Sequence, residues 1–380
     1  MSIFLLIISL PMIVSCFWAV YFFCHWRQSD RSEHTIAIFF LSAFLLYTCH
    51  YLYFSDNSAL ALETLYFTQN LLVFPLFYLS ILFLTHSRLL RAELIPLFLP
   101  SVLSLIGNTT GYSFHLDGLV RATYLFSRIC FMLTAVYVWL QGFIKLRRYS
   151  HELSNYFSDN REWSIGNLKI LLHVFGIITV IAVVLNTLGR EYFSDSTIIY
   201  IPAALMTVTL YALGYVESNI FNQTPRLTNS QQDDFTRQLQ ENETKQEQTI
   251  SNSVIPADPS YEQDEALLRI KQSLEQLMEQ ERPYLNPSLT LPDLSAMLNT
   301  NRQYLSKVIN TFYNVNFSTF INTYRTNHAK IVLTSTSLSD KEALLDAIYT
   351  SGFQSEQSFY RVFKEITGET PLQYRHNNLQ

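Results

Sequence analysis

Two regimes of hydrophobic patterning divide this chain of 380 residues. Up to about residue 220 apolar positions come in long, nearly unbroken runs; from about residue 262 they recur at three- and four-residue spacing with polar positions between. The first regime contains seven stretches long or apolar enough to be considered as spans: 3–23, 35–54, 65–85, 93–106, 120–143, 168–188 and 198–215. A helix needs roughly 17–25 predominantly apolar residues to cross a bilayer. The fourth stretch is short and carries Pro96 and Pro100, so a kinked or re-entrant segment is the alternative there. The first lacks a basic leading region and a small-residue cleavage site, and is expected to be a span, not a signal peptide. The expected fold class is all-α: an N-terminal multi-span transmembrane helical bundle, then an all-helical domain with two helix-turn-helix units.

The second regime supplies those units. A helix over 262–280 carries Leu267, Leu268, Ile270, Leu274, Leu277 and Met278 on one face. It reads either as the first element of a globular domain or as a short dimerising helix. The first unit, 291–312, begins with Thr290 and Asp293 in a capping arrangement and buries Leu291, Leu294 and Leu298. Asn299-Thr300-Asn301 breaks the period, and Asn301 can cap a second helix from Arg302 to about Phe312. A long helix over 317–333 follows. In the second unit, 344–366, Gly352 can supply a left-handed turn, Phe353 plugs the core and Ser355 caps the next helix. That helix ends at Gly368, and Thr370-Pro371 starts a last short one. Such a unit can place its second helix in the major groove of double-stranded DNA while the first braces it.

Charge changes the picture only in part. Residues 263–380 hold 11 basic and 12 acidic residues, so no basic excess argues for nucleic acid, and the motifs must carry that reading. The stretch 221–261 is polar and acidic, with little apolar content to offset the entropy of ordering, and is expected to be a flexible linker. The domain division is therefore 1–220, 221–261 and 262–380. Loop charge then orients the bundle. With the N-terminus outside, the inner loops hold Arg27, Arg31, Arg88, Arg91, Lys145, Arg147, Arg148 and Arg161, against Arg121 and Arg190 outside. Basic residues near span ends are retained in the cytoplasm. Seven spans then put the C-terminal domain in the cytoplasm of a bacterial cell, with the bundle in the inner membrane.

Candidate chemistry follows from these placements. On the first recognition helix Arg302 and Gln303 suit guanine and adenine edges, while Ser306 and Lys307 suit phosphate or base. On the second, the DNA-side candidates are Gln354, Glu356, Gln357, Tyr360, Arg361 and Lys364, with Ser358 filling out the face. Arg325 and Lys330 on the long helix read as structural or phosphate-binding. Within the bundle Arg128 is costly in hydrocarbon and is expected to face the interior or a polar cavity. His50 and His173 are further sensing candidates, and Glu63 and Glu217 lie near span ends. Cys16, Cys24, Cys49 and Cys130 lack metal-ligand spacing and read as small buried hydrophobes. No metal or cofactor is called for, and phosphate-loop, HExxH, GxSxG and kinase-like patterns are absent, which argues against an enzyme.

The run Ser351-Gly352-Phe353-Gln354-Ser355-Glu356-Gln357-Ser358-Phe359-Tyr360-Arg361-Val362-Phe363-Lys364, followed by Thr367 to Arg375 (TGETPLQYR), resembles the DNA-binding domain of AraC/XylS-type transcription regulators. Tyr304-Leu305-Ser306-Lys307, Asn316-Phe317, Ile321-Asn322 and Arg325 extend the resemblance over roughly 262–377. It implies seven helices, with two helix-turn-helix units joined by the long helix and reading successive major-groove faces. Three departures stand out: Asn314 where glycine is usual, Ala347-Ile348 in swapped order, and Asn301 for a capping serine. The seven-span region stands where most members carry a soluble effector domain, as in a membrane-bound branch, so the effector is not implied. The expected function is a one-component regulator coupling a signal in the bundle to DNA occupancy, with a homodimer left open. The alternatives are a transporter with an auxiliary domain, or a receptor whose C-terminal domain contacts a protein partner.

Overall fold

A computed structural model describes residues 3–28, 31–56, 60–85, 91–158, most positions from 168 to 181, and 200–223, 260–335 and 338–379. The described residues are overwhelmingly helical, as the patterning predicts, with a lone bridge between Phe157 and Thr290. They fall into two compact units, one of Met1–Tyr149 and Ser164–Glu243, the other of Ser150–Trp163 and Thr244–Gln380.

The first unit contains α1 (Ile3–Cys24), α2 (Arg31–Asp56), α3 (Leu60–Leu84), α4 (Arg91–Ser113), most of α5 (Asp117–Tyr156) and α6 (Tyr200–Gln223). α1 packs on α2 and α6, α2 on α3, and α3 on α4. Phe39, Phe40, Phe77, Tyr78 and Ile81 are fully buried between them. Several hydroxyls in these apolar helices turn back to their own backbone, Thr48 to Phe44 O and Thr68 to Thr64 O. Gly214 lets α6 approach α1, because a Cβ there would lie 2.2 Å from the Trp18 indole.

Five described helices are long and apolar enough to cross a membrane, α1 to α5. The fourth stretch extends beyond its apolar run: α4 continues through Pro96 and Pro100 for 23 residues. Most of the sixth expected stretch lies outside the described residues. The seventh is α6, whose Thr207, Thr209, Tyr211 and Glu217 leave it outside those five. α5 is the largest departure. It continues for 40 residues, well past the expected end near residue 143, and its last turns belong to the second unit.

The second unit holds α7 (Ser260–Gln280), α8 (Leu291–Met297), α9 (Arg302–Val308), α10 (Phe317–Ser335), α11 (Asp340–Thr350), α12 (Glu356–Thr367) and α13 (Pro371–Asn378). It has two cores. Leu267, Leu274 and Met278 of α7 join Leu291, Leu294, Leu305, Val308, Ile309, Phe317, Phe320 and Ile321 in the first. α7 is thus an integral element of the domain. Ala329 and Leu333 from the far half of α10 join Leu344, Ala347, Ile348, Phe353, Phe359, Val362 and Phe363 in the second. One helix therefore serves both cores, and the helix-turn-helix units lie on either side of it.

Candidate nucleic-acid interface

The first unit, α8–α9, is built by caps as much as by its core. Thr290 and Asp293 form a reciprocal capping box, with Thr290 N donating to Asp293 Oδ2 at 3.0 Å. Asn299 takes φ 47° in the turn, a left-handed conformation that asparagine tolerates. Asn301 Oδ1 then accepts from Gln303 N at 2.6 Å and Tyr304 N at 3.3 Å, so α9 starts where expected. The α-helix ends at Val308, earlier than expected, and continues as a π-turn over Ile309–Tyr313 to a left-handed Asn314 at φ 53°. That asparagine does what glycine would do.

The second unit, α11–α12, starts earlier than expected, at Asp340. The reason was legible: Ser339-x-x-Glu342 is a capping pattern, and Ser339 N donates to Glu342 Oε2 at 3.1 Å. The Ser339 hydroxyl, donating at 2.7 Å, and then this backbone bond hold the Glu342 carboxyl below its ordinary range. Gly352 has φ 80° and Phe353 is buried, both as expected. Ser355 Oγ accepts from Ser358 N at 3.2 Å at the start of α12, and Gly368, at φ 80°, ends it.

These caps decide which side chains face outward. On α9, Gln303 and Lys307 are exposed, and Arg302 and Ser306 are half-buried at the edge of the same face. On α12, Glu356, Gln357, Tyr360 and Lys364 are exposed, and Ser358 and Arg361 are half-buried. Gln354 is exposed but engaged, donating to Pro287 O at 3.1 Å, which braces the turn of the second unit against the loop before α8. Both faces carry amides and cations able to meet base edges and phosphates, and the carboxylate of Glu356 is suited to accept from a cytosine amine.

The structural arginines are separate from those faces. Arg325 is 1% exposed and donates to Tyr284 O, Asn286 O, Asn322 Oδ1 and both oxygens of Ser158. Arg375, also buried, donates to Asp340 Oδ1 at 3.1 Å, to Leu338 O at 2.6 Å and to Leu333 O, tying α13 to the α10–α11 corner. His376 and Arg375 together hold the Asp340 carboxyl below its ordinary range. Lys330 lies over the Tyr374 ring, 5.7 Å from its centroid.

The bundle candidates fare unevenly. Arg128 does not face the interior; it is exposed on α5 beside Leu125, Ile129 and Met132. Helical register explains this. Thr123, Ser127, Phe131, Thr134 and Val138 take the buried stripe, and the next residue after Ser127 lies about 100° around the helix. His50 is half-buried near Tyr66, with ring centroids 5.1 Å apart, and His173 accepts from Trp139 Nε1 at 3.1 Å. Two carboxylate clusters stand out more. Glu63 of α3 accepts from Tyr112 of α4 and Tyr124 of α5. Glu93 of α4 accepts from Tyr78 of α3 and, at 3.0 Å, from Tyr137 of α5. Each cluster draws one residue from each of the same three helices. Glu63 stands out in sequence by its position near a span end, whereas the spacing of Glu93 and the four tyrosines does not reveal that they meet.

Comparison with known proteins bears on a minor part of the chain. A helix-turn-helix domain family matches residues 294–377. An uncharacterised HTH-type transcriptional regulator of Staphylococcus aureus is 39% identical over 92 residues, which are 24% of this chain and 12% of that protein. The melibiose operon regulatory protein of Escherichia coli (strain K12) is 31% identical over 88 residues, 23% of this chain and 28% of that one. The chain thus spans only a small part of the relatives it matches. Among solved structures, the C-terminal domain of AraT, a response regulator from Geobacillus stearothermophilus, is 24% identical, with a TM-score of 0.25 over 30% of this chain and 86% of that one. The C-terminal region carries a helix-turn-helix domain.

Proposed function

We propose that this chain is a membrane-bound transcription regulator of the AraC type, which reads DNA through α9 and α12 and takes its input from the apolar bundle. The observation that carries this reading is the pair of capped helix-turn-helix units on one shared helix, each presenting an amide and a cation outward: Gln303 with Lys307, and Gln357 with Lys364. Relatives named as a transcriptional regulator and an operon regulatory protein support it over about a quarter of the chain. Five membrane-length helices and the inner-loop basic residues support an inner-membrane bundle with the DNA-reading domain on the cytoplasmic side. Double-stranded DNA and the bilayer are the partners this implies. The effector is left undefined, and no enzymatic step is invoked.

The test is selection of duplexes from a random library by the full chain in lipid nanodiscs. Replacing a base-reading residue, Gln303→Ala or Gln357→Ala, is expected to cost about 1–3 kcal/mol and to relax preference at one position. Lys307→Ala and Lys364→Ala should weaken all sequences alike and reduce the salt slope by about one each. Failure to enrich any sequence at low salt would refute the reading.

A further inference from the structure

The last turn of α5 and the two residues that follow it are buried in the unit that carries the helix-turn-helix domain. Leu153, Ser154, Tyr156, Phe157 and Ser158 are all buried, and from Ser150 onward they belong to that unit. Phe157 pairs as an antiparallel bridge with Thr290, the capping residue of α8. Ser158 N donates to Leu289 O at 3.3 Å, and its Oγ donates to the same carbonyl at 2.6 Å. Arg325 donates to Ser158 O and Ser158 Oγ, both at 3.0 Å. A guanidinium taken out of water needs hydrogen-bond acceptors around it, and this segment supplies two of them.

The loop that receives the segment also meets the other helix-turn-helix unit. Gly352 lies so close that a Cβ there would stand 2.5 Å from Tyr284 O, and Gln354 donates to Pro287 O at 3.1 Å. Residues 284–290 are thus gripped from one side by Phe157, Ser158 and Arg325, and from the other by the turn before α12. The exposed faces of α9 and α12 remain clear: Gln303, Lys307, Gln357 and Lys364 keep their exposure with the segment in place. Docking and DNA reading are compatible.

We infer that residues 153–158 are the input contact of the DNA-binding domain, a strap at the end of α5 that holds the loop 284–290 and sets the relation of the two helix-turn-helix units. The docked strap is the DNA-binding-competent state. α5 is continuous from Asp117 to Tyr156, and the inferred route from the apolar helices to the domain runs along it. The inference on docking stands on the contacts alone; its consequence for transcription rests on the function proposed above.

The test uses the full chain in phosphatidylethanolamine–phosphatidylglycerol vesicles, with a protease recognition sequence inserted between Gln248 and Thr249. After cleavage, the C-terminal fragment should sediment with the vesicles, and Phe157→Asp combined with Ser158→Ala should send it to the supernatant. Both changes lie outside the fragment, so they cannot unfold it by altering its own sequence. Release from the unaltered chain, or equal retention by the variant, would overturn the docking. A second arm inserts Gly-Ser-Gly between Tyr149 and Ser150, keeping the strap but interrupting α5. Affinity for a duplex selected by the unaltered chain should fall by about fivefold or more, while the same insertion after Gln248 changes it less than about twofold. Equal effects would overturn the route through α5. If no duplex is ever selected, the function proposal fails, and the sedimentation arm still decides the docking.

Discussion

Adding one methyl group at Gly352 should cost the C-terminal domain much more than adding it at Gly368. Both glycines have φ 80°, a left-handed conformation that costs an L-residue roughly 1–2 kcal/mol. Their surroundings differ. At Gly368 a Cβ would meet nothing within 4 Å, so Gly368→Ala should cost only that backbone amount. At Gly352 the Cβ would stand 2.5 Å from Tyr284 O and 2.9 Å from both Cα and C of Leu285. Those atoms are backbone, so no rotamer change relieves the overlap, and the turn or the loop must shift. Overpacking of this kind costs typically 1–3 kcal/mol, which brings Gly352→Ala to about 2–5 kcal/mol. Against a total stability of roughly 5–15 kcal/mol, that is a large fraction. Hydrogen exchange of the full chain in nanodiscs gives the readout, because the slowest amides of α10 and α12 report opening of this unit. Their protection should drop steeply in Gly352→Ala and by about 1–2 kcal/mol in Gly368→Ala. Equal losses in the two variants would refute the close contact between the second turn and the loop 284–290.

Other perturbations test the remaining joints. Asn301→Ala removes the acceptor for Gln303 N and Tyr304 N and should cost about 1 kcal/mol, with Asn301→Ser nearly neutral; faster exchange at those two amides checks it. Arg375→Ala strips donors from Leu333 O and Leu338 O and should cost about 1.5–3 kcal/mol or more in denaturant unfolding, with Arg375→Lys only partly restoring it. His328, half-buried with Nδ1 3.2 Å from Ser351 Oγ, has its pKa lowered below the ordinary 6.5 by burial and then by the Arg282 charge, with Asp346 opposing. The fold favours the neutral ring, so this contribution is complete above pH 6.5 and declines as acidification passes through that value toward the folded pKa. His328→Gln should flatten the loss of stability between pH 7.5 and 5.5; an unchanged slope would exclude His328 as its source.

What could be read from the sequence was what neighbours in sequence decide. Asn301, Ser355, Gly352 and Gly368 act within a few residues of themselves, and each sits where its chemistry says. Asn314 took the left-handed conformation expected of the glycine it replaces, because a short polar side chain tolerates φ 53°. The apolar period of α11 begins near Leu344, later than its Ser339–Glu342 cap, so periodicity alone places the helix start too late. Arg128 shows the converse. The cost of a charge in hydrocarbon says that it should find a polar partner or water, not which way it faces, and the neighbouring Ser127 takes the inward register. The Glu63 and Glu93 clusters join α3, α4 and α5 through residues up to 61 positions apart, beyond the reach of any local pattern.

The contact between Ser158 and Arg325 spans 167 residues of sequence, and its position on α10 matters more than its strength. Phe317, Phe320 and Ile321 fix the near half of α10 in the first core, and Ala329 and Leu333 fix the far half in the second. Arg325 lies between the two sets, close to the middle of a helix about 28 Å long. A tie at either end of α10 would act on one core and leave the other helix-turn-helix unit free to follow. A tie at Arg325 bears on both, and the same residue grips the 284–286 backbone against which the second turn is pressed. Two recognition helices can read one duplex only if their separation and phase suit successive turns of the groove, so a shift at this junction alters both units' fit together. Under the proposed function, a strap carrying no DNA-reading residue would act on the spacing of the two faces and not on the faces themselves.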